Sequence, residues 1–132
     1  MTKLKLTEEY NDALSSLLKE EPALEYILKN EISVGIIASE AAKKNGGHLV
    51  CAECRKTSEL CRLFAPYDFI ITVYEPNCEG MTDAQIRTLL FHELLHIGVE
   101  EKDDDIRTFT KAHDLEDFKI IIDRFGVDWA RR

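Results

Sequence analysis

The sequence predicts an α+β protein in which a small sheet of three to four strands packs against helices, and two patterns support this. Apolar residues recur at helical spacing near the N-terminus and again over residues 83–97. Between these regions, the segments 32–38, 48–55 and 68–74 have the composition of strands. The 132 residues show no internal repeat and no Pro/Gly/Ser-rich linker, so one domain is expected over residues 1–132.

The first two elements are predicted to be helices. Residues 7–19 open with Thr7, a typical N-cap residue ahead of two glutamates. Their apolar side chains recur at helical spacing: Tyr10, Leu14, Leu17 and Leu18. Pro22 suits the first turn of a second helix, whose apolar residues are Leu24, Ile27 and Leu28.

Chain-breaking residues separate the three strand segments. The cluster 43–47 predicts a turn, and Pro66 ends the structure that precedes the third strand. Segment 68–75 fits two positions equally well, namely a core strand or the sheet edge, to which a peptide substrate would add as an extra strand. The flanking Tyr67 and Tyr74 are candidate oxyanion donors or ordinary packing residues.

Both ends of a helix over residues 83–97 are marked in the sequence. Thr82 and Gln85 form a capping box, and Gly98 is a typical residue just after a helix end. Apolar residues cover most of its surface: Ile86, Leu89, Leu90, Phe91, Leu94, Leu95 and Ile97. A helix that is apolar on nearly all sides is predicted to be a buried central helix.

The remaining arc of this helix holds the motif His92-Glu93-Leu94-Leu95-His96. His92 and His96 lie on successive turns, about 40° apart around the axis, so both imidazoles can clamp one metal ion. Glu93 lies beside the apolar stripe, where an ionised carboxylate needs a cation or a hydrogen-bonded water. In the HExxH mechanism the histidines bind one Zn²⁺ per chain and the glutamate is the general base.

A catalytic zinc needs a third protein ligand, which the sequence after His96 must supply. The spacing of the metzincins is absent, so the site is gluzincin-like, with a distant third ligand. His113 is the candidate, because it is the only histidine downstream and precedes a predicted helix over 114–125. The alternatives left open are Glu116, Asp117, Glu100 and His48.

The cysteines at positions 51, 54, 61 and 78 raise the alternative of a zinc ribbon. Their spacing lacks a second close pair, and Cys51 and Cys54 would point to opposite faces of a strand. Buried free thiols are therefore expected. The acidic run 100–105 is expected to be a solvated loop between helices.

Charge and hydropathy limit the partners. A formal net charge of −8 and a pI near 5.0 argue against a nucleic-acid binder. No apolar leader and no stretch of about 20 apolar residues is present, so neither secretion nor membrane insertion is expected. The expected location is the cytoplasm. The oligomeric state is not determined by these features.

The chain resembles the phage metallopeptidases, small gluzincin-like proteins encoded by bacteriophages and prophages. The shared motifs lie between about residues 31 and 129, and they are Glu53-Cys54-Arg55-Lys56, Tyr67-Asp68-Phe69-Ile70-Ile71, His92 to Gly98, His113 to Phe118 and Phe125 to Trp129. The resemblance implies His92, His96 and His113 as metal ligands and Glu93 as the base. It also implies the cytosol of a bacterial host as the location, and it supplies no substrate.

The expected activity is hydrolysis of peptide bonds in a peptide or protein substrate, by a metal-activated water with Glu93 as general base. The alternative is a zinc-stabilised phage or prophage protein that binds a host factor without catalysis.

Overall fold

The computed structural model describes residues 3–112. In chain order these form β1 (Leu4–Leu6), α1 (Asn11–Glu20), a 3₁₀ turn (Pro22–Leu24), α2 (Glu25–Lys29), β2 (Val34–Ser39), β3 (Lys44–Asn45), β4 (His48–Leu49), β5 (Ala52–Lys56), α3 (Glu59–Arg62), β6 (Phe69–Tyr74), a second 3₁₀ turn (Glu75–Cys78), α4 (Asp83–Leu94), β7 (Ile97–Lys102) and β8 (Asp105–Thr110). The predicted α+β class is confirmed.

The main sheet is mixed and has four strands in the order β1-β2-β6-β5. β2 and β6 run parallel, in a register that pairs Val34 with Phe69, while the other neighbours are antiparallel. The strands β3 and β4 form a small hairpin, and β7 and β8 form another. The predicted sheet size is therefore confirmed, but β1 and both strands of the second hairpin were not expected.

One face of the sheet packs against α1, α2 and α4. Side chains alternate between buried and half-buried along β6, as expected for a strand with one face in the core. The core cluster combines this sheet face with the helices, and its most buried members are Leu17, Leu24, Ile27, Phe69, Ile71, Val73, Leu90, Phe91, Leu94 and Ile97.

The sheet order decides between the two positions considered for segment 68–75. β6 pairs with β2 on one side and with β5 on the other, so it is an interior strand. The edge prediction is wrong, and the core prediction is confirmed. Of the two outer strands, β5 is the one that α4 packs against.

The predicted first helix begins four residues later than expected. α1 starts at Asn11 with Tyr10 as its N-cap residue, and no side chain caps it. Thr7 instead accepts a hydrogen bond from the amide of Glu9 at 3.2 Å, in the turn before the helix. Such local side-chain bonds compete with helix formation at a chain turn. The second helix begins at Pro22 as predicted, as a 3₁₀ turn that leads into α2.

The predicted helix over 83–97 ends at Leu94, and the prediction of its last turn is wrong. Ile97 pairs with Thr110 and begins β7, with Gly98 opposite Phe109. The acidic run is therefore a β-hairpin and not a loop between helices. Asp103 and Asp104 form its tip with φ of 52° and 64°, the left-handed values that a two-residue hairpin turn of type I′ requires.

None of the helices within residues 3–112 is long and apolar enough to span a membrane.

Candidate metal centre

The capping box fixes the start of α4, and its second half is buried. Thr82 accepts a hydrogen bond from the Gln85 amide at 3.1 Å, and the Gln85 side chain accepts one from the Thr82 amide at 2.9 Å. The buried residues of the helix are Thr88, Leu89, Leu90, Phe91, Glu93 and Leu94. His92 and Glu93 therefore project from a rigid, packed turn, whereas His96 lies in the turn after the helix.

His92, Glu93 and His96 converge on one point. Each offers a ligand atom, and these atoms lie within 4.8 Å of one another. Nε2 of His92 is 3.8 Å from Oε2 of Glu93, and Nε2 of His96 is 4.0 Å from Oε1. These separations are too long for hydrogen bonds but suit groups that share a small ion, because zinc binds imidazole nitrogen at about 2.0–2.1 Å.

The site is shielded from solvent. Glu93 is 4% exposed, and the side chains of His92 and His96 are 13% and 16% exposed. Burying a carboxylate is costly unless a positive charge or hydrogen-bond donors compensate it. Two imidazoles beside a buried carboxylate form a group that could hold a divalent metal ion.

A main-chain contact orients His96. Its Nδ1 lies 2.7 Å from the carbonyl oxygen of Lys111, just after β8. Because a carbonyl only accepts, Nδ1 carries the hydrogen, and the neutral ring keeps its lone pair on Nε2, which faces Glu93. The amide of Lys111 in turn donates to the carbonyl of His96. This two-point contact fixes both the backbone and the ring of His96.

The thiol of Cys54 is buried and senses the charge of Glu93. Cys54 of β5 is 8% exposed, and burial, with a smaller contribution from the charge of Glu93, raises the pKa of Cys54 to about 12. The thiol therefore keeps its proton at neutral pH and is a poor metal ligand. Helix α4 packs against β5, and this packing brings Cys54 within electrostatic range of Glu93.

The other predicted ligands have different outcomes. His113, Glu116 and Asp117, with the predicted helix over 114–125, lie outside the described residues, so the third ligand stays a prediction. Within residues 3–112, neither His48 nor Glu100 belongs to the metal-binding group. His48 is exposed in β4, and Glu100 in β7 forms an ion pair with Arg107 at 3.7 Å.

The two tyrosines considered as oxyanion donors lie on the sheet face opposite α4. The Tyr74 hydroxyl donates to Glu53 at 3.0 Å, and the Tyr67 ring covers Gly35, which leaves no room there for a larger residue. Both are packing residues of the outer face, and the oxyanion role is not supported.

The cysteines are free, as predicted. Cys54 and Cys78 are buried and Cys51 is half-buried, but Cys61 is exposed, so the expectation of burial is wrong for Cys61. None of the four joins a metal-binding group in the part of the chain that the structure describes.

Sequence reasoning missed two residues that support the site. Lys111 contacts His96 through its main chain, which no side-chain pattern reports. Tyr26 of α2 donates to the carbonyl of Ile97 from 71 positions away, and no spacing rule links the two. Both contacts exist only in the tertiary structure, so no local sequence pattern could predict them.

The fold and the site together define an α+β protein with a His-Glu-His group suited to a metal ion. Residues 2–132 match the family described as Putative phage metallopeptidase, and the chain belongs to this family. The family assignment points to a hydrolase that acts on peptides or proteins with a metal. No curated protein matches the chain, and no solved structure matches it either.

Proposed function

We propose that this protein is a zinc-dependent peptidase in which His92, His96 and His113 hold one Zn²⁺ and Glu93 is the general base. The observation that carries the proposal is the convergence of a buried carboxylate and two imidazole Nε2 atoms within 4.8 Å. When bound, zinc supplies Lewis-acid activation of a water and of the scissile carbonyl.

The residues of the chain then have separate tasks. Glu93 accepts a proton from the attacking water and passes it to the leaving amine, because its carboxylate faces the space between the two imidazoles. His96 is held in the correct tautomer by Lys111. The burial of Glu93 excludes bulk water that would solvate the carboxylate and weaken it as a base.

The proposal of His113 as third ligand is supported by the contact of Lys111 with His96. His113 follows Lys111 by two residues, and two residues of extended chain span at most about 7 Å. Substitution His113→Ala should lower zinc affinity by at least 10-fold, whereas Glu116→Ala and Asp117→Ala should leave it within 2-fold, in competition titrations with a chromophoric chelator. Loss of affinity in either carboxylate variant, with His113→Ala unaffected, would contradict this assignment.

The substrate would bind along β5, the sheet edge against which α4 packs. The main-chain carbonyl of Cys51 accepts a hydrogen bond from the amide of Tyr74 of β6, and the amide of Thr57 donates one to the carbonyl of Asp68. The main-chain N–H and C=O groups of the odd-numbered residues along this edge therefore point towards β6. The main-chain groups of Ala52 and Cys54 therefore point away from the sheet. An extended peptide can add there as a fifth strand.

If the substrate adds as a strand, only every second residue of the substrate donates a backbone hydrogen bond to β5. Methylating single backbone nitrogens of a cleaved peptide should raise KM by about 5-fold at alternate residues, since each lost hydrogen bond costs about 1 kcal/mol. The intervening residues should tolerate methylation. An effect without alternation would show that the peptide does not bind as a strand.

Substitution of the base separates catalysis from binding. Glu93→Gln should keep one zinc per chain and lower kcat by about 10²–10⁴-fold. In a bacterial host lysate, proteome-wide mapping should therefore find the cleavage products of the wild type strongly reduced with the variant. Glu100→Gln is the matched control, because that carboxylate is exposed and outside the metal-binding group.

The rival proposal is a zinc-stabilised protein that binds a host factor without cleaving it. It would be favoured if wild type and Glu93→Gln gave identical cleavage maps while both bound zinc. Purified wild-type protein with far less than one zinc per chain after loading would contradict both proposals.

A further inference from the structure

The turn that carries His96 is held from two sides. α4 ends at Leu94, and the His96 amide bonds the Glu93 carbonyl at 3.1 Å in a tighter, non-helical turn. The backbone here is no longer held by regular helical bonds, so its position depends on tertiary contacts. Lys111 supplies one such contact to His96 itself, and Tyr26 supplies another one residue further on.

The Tyr26 contact comes from a firmly anchored element. Its neighbours Leu24 and Ile27 are fully buried in the core, so α2 cannot move without opening that core. The Tyr26 hydroxyl donates to the carbonyl of Ile97 at 2.5 Å. Ile97 is itself fully buried, and its carbonyl would lose this partner if the hydroxyl were removed.

The Tyr26 hydroxyl is available as a donor at neutral pH. Burial, with a smaller contribution from Cys54, raises the pKa of Tyr26 to about 12, so the phenol keeps its proton there.

We propose that Tyr26 is a positioning residue for the metal centre. By holding the Ile97 carbonyl, it fixes the backbone directly after His96, so that the His96 imidazole stays aligned with His92 before any metal binds. The inference rests on the proposed function for its effect on metal affinity. Its effect on the turn is independent of metal.

The expected effect follows from the position of the contact. Partners that orient a metal ligand without touching the metal typically change affinity by 10–100-fold. Tyr26 acts through one intervening residue and Lys111 remains in place, so Tyr26→Phe should weaken zinc binding by about 10-fold. In the metal-free protein, amide hydrogen exchange at residues 95–98 should accelerate by about 5-fold, the equivalent of one lost hydrogen bond.

Tyr10→Phe is the matched control. Tyr10 of the α1 N-cap is buried, whereas Tyr26 is half-buried, and the Tyr10 hydroxyl donates to Glu75 at 2.9 Å, away from the metal-binding group. It should change global stability similarly but leave both exchange at 95–98 and zinc affinity as in wild type.

The two readouts are zinc affinity by chelator competition and residue-resolved exchange of the metal-free chain. The proposal is supported if Tyr26→Phe, but not Tyr10→Phe, shows both faster exchange at residues 95–98 and weaker zinc binding. Provided that the wild type binds zinc, any other combination of the two results overturns the proposal. If the wild type fails to bind zinc, the proposed function is wrong. Exchange at 95–98 then decides by itself whether Tyr26 holds the turn.

Discussion

The contact of Gly98 with Phe109 provides a quantitative test of the β7–β8 hairpin. A Cβ added at Gly98 would lie 2.5 Å from two ring carbons of Phe109, about 1 Å inside the normal contact distance between carbons. The backbone at Gly98 is not left-handed, and the three atoms nearest to the added Cβ all belong to the Phe109 ring. Gly98→Ala must therefore displace the ring, which is 39% exposed and can turn towards solvent.

The size of the effect is the difference of two terms. Overpacking of this kind costs about 1–3 kcal/mol, while replacing glycine by alanine gains about 0.4–1 kcal/mol through the unfolded chain. Gly98→Ala should thus lower the free energy of unfolding by about 1–2 kcal/mol. At this chain length that corresponds to a fall in Tm of roughly 4–8 °C.

A double-mutant cycle in urea, followed by circular dichroism, tests the cause. With Phe109→Ala already present, the ring is gone, so Gly98→Ala should now stabilise the protein by about 0.5 kcal/mol. The change of sign identifies the ring as the obstacle. An equal loss of stability in both backgrounds would refute this reasoning.

Three further predictions concern stability. Thr82→Ala removes the cap of α4 and should cost about 1 kcal/mol in thermal melts, with Thr82→Ser near wild type; an unchanged Tm would show that the cap is dispensable. Burial raises the pKa of the Asp68 carboxyl, but hydrogen bonds from Ser33 and Arg62 outweigh it and hold that pKa below its usual value. The stability advantage over Asp68→Asn should therefore be full above about pH 4 and decrease as the pH falls through the lowered pKa; an advantage that stayed constant as the pH was lowered from about 4 would contradict this. Asp104→Gly relieves a left-handed φ of 64° and should raise Tm by a few degrees, whereas a lower Tm would argue against the type I′ turn.

Local signals in the sequence were sufficient for much of the fold and the site. The capping box at Thr82 was correct because both of its bonds join residues three apart. The strands β2 and β6 were located because short runs rich in apolar, β-branched and aromatic residues favour strands wherever they lie in the sheet. His92, Glu93 and His96 were grouped correctly because a helical turn and its continuation bring them together.

The end of α4 was missed because a non-local pairing overrides a local preference. Residues 95–97 continue the helical pattern, but Ile97 pairs with Thr110 and adopts a strand conformation. A two-residue Asp-Asp turn between β-branched segments was the signal available for this hairpin. This turn signal was outweighed by the helical pattern that continues through residues 95–97. The acidic composition of residues 100–105 also suggested a loop.

The sequence by itself determined that His92, Glu93 and His96 can share a metal ion and where the helix that carries the first two begins, because spacing and capping are properties of adjacent residues. Only the tertiary structure decided that β6 is interior, that β5 packs against α4, and that Tyr26 reaches Ile97 across 71 positions. Sheet order and such long-range bonds depend on how whole elements pack, and the free energy that selects one packing is spread over the entire core.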